Sequence, residues 1–137
     1  WGNDIQTVSG SEVDFPIIAD DGLTVSKLYD MLPEDASLPD GRTPADSATV
    51  RSVFIIGPDK QLKLSMTYPM TVGRNFAEIL RALDALQTTT KHGVATPADW
   101  TIGQDVIIPP SVSDADAKQK YGEYETVLPY LRKTPLR

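Results

Sequence analysis

Arg51 is the residue whose position most strongly suggests chemistry. It lies in residues 49–57, a run of apolar and β-branched residues that otherwise predicts a buried strand. A guanidinium stays charged in proteins, so within such a strand it needs water, an anion or several hydrogen-bond acceptors. The residues leave two interpretations open. Arg51 either extends from the strand end to water or to a carboxylate, or it stabilises an anion in a functional site.

Three other side chains that could do chemistry have simpler explanations. Asp59 follows Pro58 in a predicted turn, and turn chemistry accounts for it. His92, the one histidine, is predicted at a helix end beside Gly93, where capping is a sufficient role. Trp100 is interpreted as an anchor that packs on the core rather than as a residue that stacks on a ligand.

Composition excludes several classes of function. The sequence has no cysteine, which excludes disulfides, zinc–thiolate sites and a cysteine nucleophile within this chain. Its 13 basic and 19 acidic residues give a net charge of −6, which argues against nucleic acid or an anionic membrane surface as the main partner. A hydrophobic content of 40% in 137 residues is typical of one globular domain, and no apolar stretch approaches the length of a membrane span.

The elements that must position Arg51 follow from the pattern of apolar residues. Residues 15–18 predict a short strand, and residues 23–32 predict a helix that Pro33 ends. Residues 33–48 are rich in proline, acidic and small residues and predict an exposed loop. Residues 49–57 and 61–68 then predict a β-hairpin, whose first strand is apolar on both faces and is therefore expected to be central.

The clearest predicted helix follows the hairpin, from Arg74 to about Leu86. Its apolar stripe indicates a helix that packs back on the hairpin, which gives a strand-helix-strand-strand-helix order of α/β type; the stripe consists of Phe76, Ile79, Leu80, Leu83 and Leu86. From Gly93 onward, prolines separate short apolar pieces, and residues 113–121 predict a short helix capped by Ser113. This tail is expected to lie against the main domain or a partner subunit, because it is too poor in apolar residues for its own core.

Several uncommon strings occur together in this sequence. They are Phe15-Pro16-Ile17-Ile18-Ala19-Asp20, Arg51-Ser52-Val53-Phe54-Ile55-Ile56-Gly57-Pro58-Asp59-Lys60, Leu62-Lys63-Leu64-Ser65, Tyr68-Pro69, Gly73-Arg74-Asn75-Phe76-Ala77-Glu78-Ile79-Leu80-Arg81, Val94-Ala95-Thr96-Pro97-Ala98-Asp99-Trp100 and Tyr130-Leu131-Arg132-Lys133-Thr134-Pro135. In their order and spacing, from Trp1 to the C-terminus, the sequence resembles the 1-Cys peroxiredoxins.

The resemblance implies an α/β, thioredoxin-like (peroxiredoxin) fold, of which this chain would be the C-terminal half with a Pro-rich C-terminal extension. Residues 1–92 would belong to the thioredoxin-like domain, and residues 93–137 would form the extension, which contributes to a homodimer. The family carries its peroxidatic cysteine in a Pro-x-x-x-Thr-x-x-Cys motif upstream of the position of Trp1. The resemblance therefore implies a missing N-terminal half of the same protein, either cleaved off or absent from this sequence.

The resemblance also implies an activity for the complete protein. It would be an antioxidant thiol peroxidase, an oxidoreductase of redox homeostasis that reduces hydrogen peroxide and organic hydroperoxides with a small-molecule or protein thiol as reductant and without a cofactor. This chain alone would be inactive. Arg51 matches the active-site arginine of the family, which lowers the pKa of the cysteine thiol and holds the peroxide. Arg74 matches a second arginine that supports the pocket, although an exposed residue in the first helical turn remains an open interpretation.

An alternative belongs to another class of function. A cysteine-free, peroxiredoxin-like binding or dimerisation module would use the same fold without catalysis. The expected compartment is the cytoplasm, and any targeting peptide would precede Trp1.

Overall fold

The structure is a computed structural model that describes residues 2–32 and 48–136. The chain divides into two units, Trp1–Arg51 and Ser52–Arg137. The predicted loop over residues 33–48 lies outside the described residues except at its last position.

The first unit contains two short helices, α1 (Gly2–Ser9) and α2 (Thr24–Leu28). Helix α1 was not predicted from the sequence. The start of α2 is stabilised by Asp20, whose carboxylate accepts hydrogen bonds from Val25 N (2.9 Å), Ser26 N (2.8 Å) and Ser26 Oγ (2.6 Å). Leu23, the residue before α2, is fully buried. Asp20 therefore holds the turn in which Leu23 is buried.

Two predictions for the first unit were wrong. Residues 15–18 form no strand, and Phe15, Ile17 and Ile18 are exposed. A strand exists only through hydrogen bonds to a neighbour, and no described strand lies beside this segment. Helix α2 ends at Leu28 rather than at residue 32, because Asp30 adopts a left-handed conformation (φ 51°) and Met31 N donates to Ser26 O at 2.9 Å, a Schellman-type ending.

The predicted hairpin is confirmed. Strand β1 (Arg51–Ile56) begins at the last residue of the first unit and pairs with β2 (Leu62–Tyr68). Its turn is closed by Gly57 N donating to Gln61 O at 2.9 Å, and Lys60 takes a left-handed conformation there (φ 61°). Within the described residues β1 has a single strand partner, so the expectation of a central strand was wrong for this chain.

Helix α3 (Phe76–His92) is longer than predicted. Asn75 caps its N-terminus, since Asn75 Oδ1 accepts from Glu78 N at 3.2 Å, and Gly93 (φ 65°) ends it in the left-handed conformation that glycine favours. The predicted core-facing stripe is only partly correct. Phe76 and Leu80 are 67% and 61% exposed, whereas Ala82, outside the predicted stripe, is buried.

The rest of the second unit is a small sheet with one helix. Strands β3 (Val106–Ile108), β4 (Glu125–Leu128) and β5 (Leu131–Thr134) form an antiparallel sheet in the order β3-β5-β4. Helix α4 (Asp114–Tyr121) has Ser113 as its N-cap, as predicted. The expectation that this tail lies against the main domain is confirmed for α3, because the cluster around Trp100 (2% exposed) includes a residue of α3; its members are Val94, Val106, Tyr121 and Leu136 of the tail and Ala85 of α3.

Side-chain hydrogen bonds attach the tail to α3. Arg81 Nη1 donates to Trp100 O at 3.1 Å, while its other nitrogens hold Glu78 at 2.6 and 2.8 Å. At the other end of α3, the Tyr121 hydroxyl lies 3.1 Å from both His92 O and Gly93 O, to which it donates. The tail thus supplies a hydrogen-bond donor to the carbonyl groups at the C-terminus of α3.

Candidate functional site

Arg51 stands at the exposed start of β1. Within the described part of the chain, its guanidinium forms no hydrogen bond or ion pair. The next four residues of the strand are half-buried, so burial begins only after the arginine. The structure therefore places Arg51 where water can solvate it and where an anion could replace that water.

Arg74 is likewise exposed and lies just before Asn75, the cap of α3, rather than in the first helical turn. Its guanidinium also has no hydrogen-bond or ion-pair partner among residues 2–32 and 48–136. Arg51 belongs to the first unit and Arg74 to the second. The two predicted site residues are thus both available cations, each positioned by the beginning of a secondary-structure element.

The other candidates have the structural roles that the sequence indicated. Asp59 lies in the hairpin turn, where it pairs with Lys63 Nζ at 2.5 Å and accepts from Gln61 N at 3.2 Å. The hydrogen bond from Lys63, and then that from Gln61, lower the pKa of Asp59 below its ordinary value of 3.8. His92 is the last residue of α3. Trp100 is a buried anchor whose Nε1 donates to Gln104 O at 3.0 Å.

Sequence reasoning missed a buried arginine in the tail. Arg132 is 6% exposed and donates to Asp114 Oδ1 (2.6 Å), Val112 O (2.6 Å) and Pro109 O (2.9 Å). Its guanidinium carbon lies 5.8 Å from the centre of the Tyr124 ring. Because all three acceptors belong to this chain, Arg132 holds the tail together and is not an available cation. Strand alternation in residues 131–134 could have indicated its burial only if the sheet had been known.

A groove of about 940 Å³ lies between the hairpin and α3. Its walls are mainly apolar, from Ile55 and Ile56 on β1 and from Leu83 and Leu86 on α3. The described residues that line it include neither Arg51 nor Arg74, so it is separate from the two available cations. Among the described residues, no cluster of histidine, aspartate and glutamate could hold a metal ion, and no helix has the length and apolar character required to cross a membrane.

Comparison with known proteins assigns the chain to a family. The family model described as the C-terminal domain of 1-Cys peroxiredoxin matches residues 85–123. The mitochondrial peroxiredoxin PRX1 of Saccharomyces cerevisiae is 48% identical over 137 residues, which cover 98% of this chain and 51% of the relative. Peroxiredoxin-6 of Mus musculus is 44% identical over 145 residues, which cover 98% of this chain and 63% of the relative. The chain thus spans between half and two thirds of the length of these relatives.

Solved structures agree with this assignment. The structure of the yeast mitochondrial 1-Cys peroxiredoxin matches 99% of this chain and 63% of its own, with a TM-score of 0.89 and 48% identity. A cysteine-to-serine mutant of the peroxiredoxin 6 of Arenicola marina matches 98% and 63%, with a TM-score of 0.82 and 44% identity. The fold is that of the thioredoxin-like peroxiredoxins. The chain belongs to the 1-Cys peroxiredoxin family, of which it carries the C-terminal region.

Proposed function

We propose that this chain supplies the arginine-bearing region of a thiol peroxidase that reduces hydrogen peroxide and organic hydroperoxides. The observation that supports this most directly is Arg51, an exposed guanidinium without a partner among the described residues, at the start of a strand whose sequence matches the family. The chain has no cysteine, so the nucleophile is proposed to come from the N-terminal half of the same protein. On this proposal the 137 residues alone are inactive.

The proposed chemistry explains why a guanidinium is needed. A cysteine thiolate attacks one peroxide oxygen, the S–O bond forms as the O–O bond breaks, and the leaving oxygen takes a proton to become water or an alcohol. Arg51 stabilises the thiolate and the negative charge that develops on the leaving oxygen. Arg74 supplies a second positive charge that supports the pocket. A reducing thiol then attacks the resulting sulfenic acid, which forms a mixed disulfide and releases water; a second thiol attacks that disulfide, frees the cysteine thiol and is itself oxidised to a disulfide with the first.

The partners follow from the same chemistry. The yeast mitochondrial 1-Cys peroxiredoxin has a thiol resolving mechanism that uses the glutathione and thioredoxin systems. For the present protein we propose a small-molecule or protein thiol as reductant and a homodimer to which residues 93–137 contribute. The cytoplasm remains the proposed compartment.

Exposed apolar surface supports the proposal of a cysteine-bearing half that packs on this chain. Within the second unit, the groove between the hairpin and α3 has apolar walls, and Phe76 and Leu80 are exposed on α3. Within the first unit, the apolar segment 15–18 is exposed and has no strand partner among the described residues. Exposed apolar surface is seldom left open over a large area in a soluble protein, and in each unit taken by itself we propose that the missing half covers it.

Peroxidase assays on the complete protein test the proposal. Arg51→Ala should reduce the second-order rate constant for hydrogen peroxide by about 100-fold or more, the usual effect of removing one donor to a developing oxyanion. Lys60→Asn is the matched control, because it removes an exposed cation from the same hairpin and asparagine accepts the left-handed conformation at this position. Equal rates for Arg51→Ala and wild type would reject the role of Arg51. A complete protein without any cysteine would favour the binding or dimerisation module instead.

A further inference from the structure

The Asp21–Gly22 bond lies in an exposed turn directly before α2. The left-handed residues of this turn are Asp20 (φ 52°) and Leu23 (φ 57°), which are not glycines. A β-carbon added at Gly22 would meet only Thr24 Oγ1, at 3.5 Å, and the φ of Gly22 is not in the left-handed region. The backbone therefore does not require glycine at this position.

Gly22 does have a chemical effect on its neighbour. Its amide nitrogen forms no hydrogen bond with the described residues, whereas the next amide, Leu23 N, donates to Asp20 O at 2.9 Å. Without a β-carbon at Gly22, the nitrogen can approach the Asp21 carboxyl carbon with little steric hindrance. Both residues are exposed, and cyclisation would join this nitrogen to the Asp21 carboxyl carbon.

We propose that Asp21–Gly22 is a site of spontaneous isoaspartate formation. Gly22 N attacks Asp21 Cγ, the N–Cγ bond forms, and one water leaves with the carboxyl oxygen and the amide proton. Water then adds to the backbone carbonyl carbon of the cyclic imide and breaks its bond to nitrogen. The chain now runs through the former side chain, with a free α-carboxylate. Neither mass nor net charge changes, and no oxidant or cofactor is needed.

The modification would disrupt the start of α2. It adds one methylene to the backbone between Asp21 and Gly22 and so displaces Asp20 from the helix that it caps. The three hydrogen bonds from Val25 and Ser26 to the Asp20 carboxylate would be lost. Leu23, which is fully buried, would lose the turn that holds it in its buried position.

Isotope labelling of the complete protein tests the inference. During incubation at neutral pH in water enriched in heavy oxygen, each turnover of the imide incorporates one solvent oxygen, which fragmentation of tryptic peptides assigns to a residue. Cleavage after Lys27 separates this site from the second Asp–Gly pair of the sequence, Asp40–Gly41. We expect label to accumulate at Asp21, to be lost in Gly22→Ala, and to be absent at Asp59, an exposed turn aspartate followed by lysine.

A synthetic peptide of residues 15–28 serves as the reference, because it gives the time in which Asp21 converts outside the folded protein. If the peptide converts and Asp21 of the protein takes up no label in the same time, the inference is wrong. Amide hydrogen exchange at Val25 and Ser26 tests the structural consequence, because it should accelerate in the isomerised fraction relative to Gly22→Ala. Unchanged exchange would show that α2 tolerates the longer backbone, and would overturn that part.

Discussion

Replacement of Arg132 by methionine removes a buried guanidinium and keeps most of its apolar stem. Val112 O loses its donor, and leaving a part-buried carbonyl oxygen without a hydrogen bond costs about 1–3 kcal/mol. Pro109 O also loses a bond but retains Val112 N as a donor at 3.0 Å, so its loss adds only about 1 kcal/mol. The Asp114 carboxylate is 82% exposed and can return to water, so it is left out of this sum. The free energy of opening the β3-β5-β4 sheet should therefore fall by about 2–4 kcal/mol.

Native-state amide hydrogen exchange in the complete protein measures this quantity directly, through the amides of β3 and β5. Lys118→Met is the matched control, because Lys118 is exposed on α4 and its ion pair with Glu123 spans 3.8 Å. The control should change the opening free energy by no more than about 0.5 kcal/mol. If Arg132→Met changes it as little as the control does, the guanidinium does not hold the tail together and this reasoning is refuted.

Three further changes follow from single contacts. Asn75→Ala should destabilise the first turn of α3 by about 1 kcal/mol, measured by amide exchange at Glu78, whereas Asn75→Asp should retain the cap. Tyr121→Phe should cost about 1 kcal/mol at the C-terminus of α3, because the hydroxyl that donates to two carbonyls is lost; unchanged exchange at Gly93 would contradict this. Hydrogen bonds from Tyr124 and then from Arg132 lower the pKa of Asp114 below its ordinary value of 3.8, so its carboxylate stabilises the tail above that pH, and the contribution is lost as pH falls through the lowered pKa. Asp114→Asn should therefore flatten the dependence of tail stability on pH below about pH 4. Urea titrations at several pH values measure this stability, and the same slope of stability against pH in Asp114→Asn and wild type would reject the assignment.

Local patterns predicted the parts of the fold that are local. The hairpin, α3 and the capped α4 were all indicated by periodicity and capping residues within short windows. The three-stranded sheet was missed because its strands are short and the pairing of Ile108 with Arg132 joins distant segments. The strand predicted at residues 15–18 and the burial predicted for Phe76 and Leu80 were wrong for one reason. An apolar run predicts burial, but burial also requires another segment that packs against the run.

The residues of the candidate site were also only partly predictable from local sequence patterns. Arg51 was noticed because a cation interrupts an apolar run, and the strings around it indicated the family, which the comparisons confirm. Its catalytic role stays a prediction, because the proposed nucleophile lies outside these residues. Arg132 could not be identified from the sequence, since its burial depends on a sheet that the local pattern does not reveal.

The thiol pKa of the peroxidatic cysteine in the complete protein tests the central claim most directly. It can be measured from the pH dependence of alkylation in wild type, Arg51→Ala, Arg51→Lys and Lys60→Asn. We predict that Arg51→Ala raises this pKa by about one to three units, that Arg51→Lys raises it less while still slowing peroxide reduction, and that Lys60→Asn leaves it unchanged. The same pKa in Arg51→Ala as in wild type would contradict the assignment of Arg51 to the thiolate site.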